Sequence, residues 1–250
     1  MPRYGQLPLV LASGSPRRRR LLGLLDLPFS IRISSVDESR IVASTPREFA
    51  LRAALEKWRD VVASLPTPSV VVAADTVVCF DCEEKAAPAE TSPSAPPAPR
   101  TRSPRRRLPA PRRVIFGKPA DPLEAVRMLR QLSGRTHEVI TALAVGRSDR
   151  CERGPRTGTE TSRVRFRELS DEEIKTYVAA GEPLDKAGAY AVQGEGARFI
   201  ESVDGDLNNV IGLPLRLLAR LLAPDYPALR IPQRAAFQEE SGPPEQPAAP

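Results

Sequence analysis

The strongest constraint on the fold of this chain is the alternation of short apolar runs with signals that start helices. Ser15 precedes Pro16, which is the pattern of a helix N-cap followed by proline at the first helical position. Capping boxes begin at Thr45 and Ser170, each with Glu three residues later. Strands are predicted at 7–12, 29–33, 70–80, 114–116, 136–145 and 164–169, and helices at 16–25, 46–64, 121–132, 170–181 and 214–222. Strands that alternate with helices predict an α/β fold.

The excess of positive charge and of proline is local. The net charge is +6 over 250 residues, of which 27 are proline. The segment 86–113 carries seven arginines, one glutamate and eight prolines, so the rest of the chain is electrically neutral. A segment with few apolar residues and no apolar period is expected to be disordered. We therefore predict one folded domain over residues 1–222, a disordered insert at about 81–113 and a disordered Pro-rich tail at 223–250.

Composition also excludes several classes of protein. No uncharged apolar stretch reaches the roughly 18 residues of a membrane-spanning helix, so no membrane contact is expected. The apolar run at 7–12 falls short of the secretory signal core of about 7–15 residues and leads directly into a polar, Arg-rich segment. Three cysteines do not make a disulfide framework. These features predict a reducing, cytoplasmic location.

The cysteines and the single histidine leave a metal site as an alternative. Cys79 and Cys82 form a C-x-x-C pair, which together with Cys151 and His137 could supply four zinc ligands. Because these residues lie in different regions, we interpret the cysteines as unrelated thiols. His137 opens a predicted strand, and we interpret it as structural rather than catalytic.

The first candidate for chemistry is the turn at 13–18, between the first predicted strand and the first predicted helix. Small residues at such a turn leave backbone N–H groups free to bind an anion. Arginines in the first helical turn oppose the helix dipole, and a bound phosphate would reverse that penalty. A solvated basic helix end remains an equally open interpretation.

The second candidate is Asp75-Thr76, at the end of a buried apolar run. A carboxylate at the carboxyl end of a strand lies where open α/β sheets bind ligands, and it could hold Mg²⁺ or orient a water. Taken alone, this pair of residues is more typical of a strand end that an aspartate caps than of a ligand site.

Weaker candidates complete the set. Glu38 lies in a polar loop, Lys57 on a predicted helix and Lys118 in a Gly-Lys-Pro turn. Gln193 lies in the Gly-rich segment 188–200, which is expected to be extended, and its amide offers both a donor and an acceptor to a pyrimidine base. Basic side chains, two carboxylates and an anion-binding turn together describe a site for a triphosphate with Mg²⁺.

These residues resemble the Maf family of nucleoside triphosphate pyrophosphatases. The match covers about 7–80 and 114–222, and its motifs fall in the order of the family. The matching motifs are LASGSPRR, VDES, AADTVV, GKP, MLRQLSGRTHEVITALAV, GEPLDKAGAYAVQG and ESVDGDLNNVIGLPL. The stretch KAGAYAVQG is similar to the subfamily that acts on dTTP and UTP.

The resemblance implies a fold, a reaction and a metal. The fold is an elongated mixed α/β sheet in two lobes with a central cleft, commonly in a homodimer. The reaction is hydrolysis of the α–β phosphoanhydride, which gives a nucleoside monophosphate and pyrophosphate with Mg²⁺ or Mn²⁺. Asp75 would accept the proton of the attacking water, and Glu38 would hold the metal together with Asp75.

The resemblance also assigns residues to the substrate. The side chains that would hold phosphate are Ser13, Arg17, Arg18, Lys57 and Lys118. The positions linked to the choice of base are Arg17, Thr76 and Gln193.

Two alternatives stay open. One is the same chemistry on another base. The other is contact with nucleic acid or protein through the Arg-rich residues 100–113. The competing interpretation of these residues is a disordered, solvated loop without a partner.

In the family the Asp-Thr and Gly-Lys-Pro motifs lie close together, whereas here the insert separates them. Loop closure costs only about 0.6 kcal/mol per doubling of length, so we expect the insert to loop out without disturbing the fold.

Overall fold

A computed structural model describes residues 7–82 and 112–231 of the chain. The strands in these residues are β1 (Leu9–Leu11), β2 (Phe29–Ile31), β3 (Val70–Cys82), β4 (Arg112–Phe116), β5 (Thr136–Arg147), β6 (Arg156–Phe166) and β7 (Ile200–Asp204). They form a single sheet in the order β2-β1-β3-β5-β6-β7, with β4 also beside β3. The sheet is mixed, because β1 pairs in parallel with β2 and β3 while the other pairs are antiparallel.

The helices of the described residues are α1 (Pro16–Gly23), α2 (Pro46–Ser64), α3 (Pro122–Leu132), α4 (Asp171–Ala179), α5 (Leu207–Ile211) and α6 (Leu215–Leu222). All but α5 begin within one residue of the position predicted from the sequence. The side chain of Ser15 caps α1, and Ser170 and Glu173 form a complete capping box on α4. At α2 Thr45 accepts from the Glu48 N–H, but the return bond of Glu48 goes to the N–H of Ser44.

The long strand β3 organises the sheet. One of its edges pairs with β5 from Val70 to Cys79. The opposite edge pairs with β1 at residues 70–72 and with β4 at residues 78–82, so residues 73–77 have no strand beside them on that edge. This gap divides the sheet into two halves that share β3, β5 and β6.

Three apolar clusters stabilise the two halves. On one face of the sheet, α2 packs its buried Trp58 and alanines on Val71, Ala73 and Cys79. On the other face, α1 and α6 cover one half of the sheet, where Leu11 and Leu143 are buried. In the second half, α3, α4 and the aromatic side chains cover that same face. Burial of this apolar area is the main stabilising contribution to the fold.

The α/β architecture and the mixed sheet predicted from the sequence are confirmed, with differences in the second half. The Gly-rich segment 188–200 is not extended, because it contains the short 3₁₀ turns Ala187–Ala189 and Glu195–Phe199. Gly188 and Gly194 have positive φ values, which glycine adopts without strain and which allow these turns. The sequence pattern also missed β7 and α5, and β6 begins earlier than predicted, at Arg156.

The packed domain continues past Leu222, where the sequence analysis placed its end. Tyr226 is buried in the cluster under α6, and its hydroxyl donates to the carbonyl of Leu7. Residues 223–226 of the predicted tail therefore belong to the packed domain, and the part of that tail beyond residue 231 lies outside the described residues.

Residues 83–111, which include most of the predicted insert and of the possible nucleic acid contact at 100–113, lie outside the described residues. The ends of the predicted insert are strands and not disordered, because Asp81 and Cys82 of β3 pair with Arg113 and Arg112 of β4. No helix in the described ranges is long and apolar enough to cross a membrane.

The cysteines lie in separate places. Cys79 is buried against α2, whereas Cys151 is exposed on a turn between β5 and β6. The side chain of Cys82 falls outside the described part of the chain.

His137 lies in the core of the second half of the sheet. Its ring packs edge-on against Phe166 and Tyr190, and its Nε2 shares a hydrogen bond of 2.8 Å with the Tyr190 hydroxyl. Nδ1 has no hydrogen-bond partner among the described residues. Burial lowers the pKa of His137 to about 3. This residue is therefore a neutral core side chain at neutral pH, as the structural interpretation expects.

The buried histidine should make the stability of the protein depend on pH. The unfolded chain takes up a proton at His137 below about pH 6.5, whereas the folded chain does so only near pH 3. The free energy of unfolding should therefore be constant above pH 6.5 for this group and fall by up to about 1.4 kcal/mol per pH unit below it. Urea unfolding of the wild type and of His137→Phe at several pH values would measure this slope. The chain has no other histidine, so an equal slope in both proteins would contradict the assignment.

Candidate active site

The gap at the edge of β3 opens into a cleft of about 810 Å³. Such a volume lies within the usual range of sites for small molecules, about 300–1,000 Å³. All but one of the site residues predicted from the sequence line it: Ser13, Arg17, Arg18, Glu38, Lys57, Asp75, Thr76 and Lys118. The exception is Gln193, which is half-buried and follows the cleft-lining residues Ala191 and Val192.

A cluster of three charged side chains forms the floor of the cleft. Asp75 lies between Ala73 and Val77 on the face of β3 that α2 covers, and Lys57 reaches it from α2. The Lys57 Nζ lies 2.7 Å from Asp75 Oδ1 and 2.6 Å from Glu38 Oε1. Asp75 is 4% exposed, so its charge is tolerated only because a cation is in contact with it. The ammonium of Lys57 therefore brings two carboxylates to one point.

The surroundings shift the pKa values of the two carboxyls in opposite directions. Burial raises the pKa of Asp75, which the neighbouring Lys57 only partly offsets and the charge of Glu38 raises further. Burial also disfavours the charged form of Glu38, but Lys57, Lys118 and Arg18 together outweigh it and lower the pKa of that carboxyl. Paired groups with diverging pKa values are the usual basis of separate acid–base and electrostatic roles.

The turn before α1 forms one wall of the cleft. Ser13 Oγ accepts from the N–H of Ser15, and Ser15 Oγ in turn accepts from the N–H of Arg18 at 3.4 Å. Arg17 points across the mouth of the cleft, where its Nη1 lies 3.3 Å from Asp185 Oδ2. Because Asp185 is well exposed, this ion pair is weak and its arginine can exchange partners.

Arg18 is held by several parts of the protein at once. Its Nη1 donates to the carbonyl of Ala74 at 2.8 Å and to Ser13 Oγ at 3.4 Å, and its Nε donates to the carbonyl of Gly212 at 2.9 Å. Its Nη2 donates to Thr76 Oγ1 at 3.0 Å. Arg18 thus links α1 to β3 and to the turn after α5.

The opposite wall of the cleft comes from β4 and from the turns after α4. Lys118 follows β4 and is exposed in the cleft. The preceding residue, Gly117, accepts at its carbonyl from the N–H of Gly188, which fixes these turns against the end of β4. A Cβ on Gly188 would lie 2.9 Å from the Val78 side chain, so only glycine allows this close approach.

The carboxylate of Glu182 holds the turn that follows Gln193. It accepts from the Tyr177 hydroxyl at 3.0 Å and from the backbone N–H groups of Glu195 at 3.1 Å and Gly196 at 3.4 Å. The hydroxyl of Tyr177 also accepts from the N–H of Ala191. The backbone on both sides of Gln193 is therefore bound to the same pair of side chains.

The donor set fits a divalent cation that arrives with its own ligands. The described residues contain no group of three or more acidic, histidine or cysteine side chains that could hold a metal ion. The carboxylates of Glu38 and Asp75 nevertheless both contact the Lys57 Nζ, so the two side chains face the same point. Mg²⁺ is commonly bound by one or two carboxylates together with substrate phosphates, and two converging carboxylates match that need.

Comparison with known proteins identifies the family. Residues 8–224 match the family model described as Maf-like protein. The chain belongs to the Maf family. Similar proteins named "dTTP/UTP pyrophosphatase" occur in Moorella thermoacetica, with 43% identity over 86% of this chain and 93% of the relative. A protein of the same name from Bacillus cytotoxicus is 38% identical over 85% of this chain and 93% of its own length.

Several residues of this Maf site were given no role from the sequence. Glu182 and Asp185 lie within the motif GEPLDKAG, so their place near the cleft could have been inferred from that motif. Thr141 and Asn209 are buried side chains that extend the hydrogen bonds of Thr76. Both lie within motifs that carry the family resemblance, at 128–145 and 201–215, but their residue types do not single them out, since a threonine in a strand is ordinary.

Removal of the Glu182 carboxylate should destabilise the protein. In Glu182→Ala the buried hydroxyl of Tyr177 and two backbone N–H groups lose their acceptor, which should cost about 1–3 kcal/mol. Denaturant unfolding would measure the loss. The matched control is Glu152→Ala, since Glu152 is exposed on a turn and its removal should change stability by less than about 0.5 kcal/mol. Equal stabilities of the two variants would show that the carboxylate does not hold the turn.

Proposed function

We propose that the chain hydrolyses dTTP and UTP to the nucleoside monophosphate and pyrophosphate. Membership of the Maf family and the names of the relatives support this activity. The observation that carries the proposal is the buried Asp75, paired with Lys57 and Glu38 on the floor of a cleft that also holds Arg17 and Lys118. Phosphoryl transfer requires positioning and neutralisation of charge more than covalent catalysis, and these residues provide both.

Asp75 would act as the general base. A water oxygen attacks the α-phosphorus while its proton passes to an Asp75 carboxylate oxygen. The bond from the α-phosphorus to the α–β bridging oxygen breaks, and pyrophosphate leaves with that oxygen. A base is most effective when its pKa approaches the working pH, and burial raises the pKa of Asp75 in that direction.

Cations around the cleft would bind the triphosphate. Lys57 and Lys118 would neutralise its charge, and the turn containing Ser13 would present hydroxyl and backbone N–H donors. Arg17 would exchange its exposed partner, Asp185, for a phosphate group. Because the phosphates carry more charge than one exposed carboxylate, this exchange is favourable.

Glu38 and Asp75 would also hold Mg²⁺ or Mn²⁺. When bound, the cation would neutralise phosphate charge and favour ionisation of a bound water. The lowered pKa of Glu38 keeps that carboxylate ionised for this task.

Choice of the base would depend on Arg17, Thr76 and Gln193. The amide of Gln193 can donate to a pyrimidine carbonyl and accept from the ring N–H, which matches one edge of uracil and thymine. Gln193 directly follows the cleft-lining Val192, and this position beside the cleft supports the assignment. The homodimer implied by the family resemblance stays a prediction.

Asp75→Asn should abolish the reaction. The amide cannot accept the proton of the water, and loss of a general base usually costs about 10²–10⁴ in rate. The measurement is release of pyrophosphate from dTTP and UTP with Mg²⁺, repeated with the metal chelated. Asp149→Asn is the control, since Asp149 pairs with Arg147 at a turn away from the cleft. Release of orthophosphate instead of pyrophosphate, or full activity in Asp75→Asn, would overturn the mechanism.

Gln193→Ala should change the choice of base rather than the chemical step. We expect kcat/KM for dTTP and UTP to fall by roughly tenfold, the value of a hydrogen bond or two, while triphosphates with other bases lose less. A panel of nucleoside triphosphates would measure the profile of both proteins. An unchanged profile would remove Gln193 from the specificity site, and a wild-type preference for a non-pyrimidine base would point to the same chemistry on another substrate.

A further inference from the structure

We propose that Arg18 positions Asp75 rather than binding phosphate, and that Thr141 and Asn209 are positioning residues that act through it. This inference rests on the proposed function, since it concerns the residue that we assign as the general base. The family resemblance implies a phosphate contact for Arg18. The hydrogen bonds of its guanidinium point to a different task.

The guanidinium N–H groups of Arg18 donate to other residues of the protein. A guanidinium has five N–H groups, and the bonds to the carbonyls of Ala74 and Gly212 and to the hydroxyls of Ser13 and Thr76 use four of them. A phosphate contact of the bidentate kind would require two N–H groups directed at the same anion. Arg17, by contrast, has one exposed carboxylate as its partner and lies at the mouth of the cleft.

The bonds of Arg18 fall on both sides of Asp75 in the chain. The carbonyl of Ala74 lies in the stretch of β3 that has no strand beside it, so Arg18 provides the hydrogen bond that a neighbouring strand would otherwise give. The hydroxyl of Thr76, the next residue after Asp75, is bound by the same guanidinium. Arg18 therefore fixes the backbone that carries the carboxylate.

A series of hydrogen bonds between hydroxyl groups, all donated in the same direction, holds Arg18 in turn. Thr141 lies opposite Thr76 in the pairing of β3 with β5, and their Oγ1 atoms are 2.9 Å apart. The Thr141 hydroxyl donates to the carbonyl of Asn209 at 3.0 Å, so its only proton is used and Thr76 must be the donor between the two threonines. Thr76 consequently presents its lone pairs to Arg18.

Asn209 holds the end of this series of hydrogen bonds. It is fully buried, and its Oδ1 accepts from the N–H of Thr141 at 3.1 Å. Its Nδ2 donates to the carbonyl of Val139 and to Ser162 Oγ, each at 2.9 Å. A buried network in which every member is satisfied is rigid, so the orientation of Thr76 is set by residues that do not line the cleft.

The first experiment tests whether Thr141 acts on the chemical step. Thr141→Val keeps the shape of the side chain and removes the hydroxyl, and it should lower kcat for dTTP by about tenfold or more while KM changes by less than about twofold. Thr141→Ser restores the hydroxyl and should recover most of the loss. Thr157→Val, an exposed threonine on β6, is the matched control and should keep wild-type kcat. A wild-type kcat in Thr141→Val, or a loss confined to KM, would overturn the inference.

The second experiment tests whether Arg18 binds phosphate. Calorimetric titration with inorganic tripolyphosphate should give a Kd for Arg18→Lys within about twofold of the wild type, whereas Arg17→Ala should bind several times more weakly. Weakening in Arg18→Lys as large as that in Arg17→Ala would show that Arg18 holds phosphate, which contradicts the proposal. This titration does not depend on turnover.

A double-mutant cycle measures the energetic coupling between Thr141 and Arg18. If Thr141 acts through Arg18, Thr141→Val and Arg18→Lys should be clearly non-additive in kcat and in the free energy of unfolding. Additive effects would overturn the inference. Should the wild type release no pyrophosphate from any nucleotide, the proposed function fails, and the cycle in unfolding free energy together with the tripolyphosphate titration still decides the role of Arg18.

Discussion

The unpaired stretch of β3 between β1 and β4 is the constraint on which the candidate site depends. Backbone carbonyl and N–H groups that lose a neighbouring strand must find other partners or water. In this fold one such carbonyl, that of Ala74, is bound by Arg18, and the space left by the absent strand becomes the cleft. The same feature that interrupts the sheet therefore creates the cavity and places a fixed cation beside it.

Each carboxylate in the cleft has a cation beside it before any substrate binds. Lys57 contacts both Asp75 and Glu38, and Arg17 is paired with Asp185 at the mouth. Burial of a single charge would be costly, so the cluster is stable only as a set. A triphosphate with a divalent cation brings both signs of charge, and it can therefore replace several of these contacts without leaving an ion unpaired. The net charge of +6 has little part in this balance, because it resides in the segment 86–113.

Local signals in the sequence predicted most of the elements, whereas long-range contacts decided the rest. Ser15 and Ser170 mark their helices because a cap is formed by residues close in sequence. The segment 188–200 was wrongly expected to be extended, since its turns depend on Glu182, outside the segment. Nearly all candidate residues taken from the motifs line one cleft. Thr141 and Asn209 also lie within these motifs, but nothing in the sequence singled them out as parts of the site. Their contact joins β5 to α5, and neither residue type has a distinctive pattern.

The adjacent residues Asp75 and Thr76 belong to different surroundings because successive side chains of a strand point to opposite faces. Asp75 lies on the face that α2 covers, where Lys57 meets it, and Thr76 lies on the other face with Arg18 and Thr141. A change of register by one residue would place the carboxylate in the threonine network and the hydroxyl beside Lys57. The position of Asp75 thus depends on both faces of the sheet. Since β5 fixes that register through pairs from Val70 to Cys79, the long antiparallel pairing is itself a condition for the site.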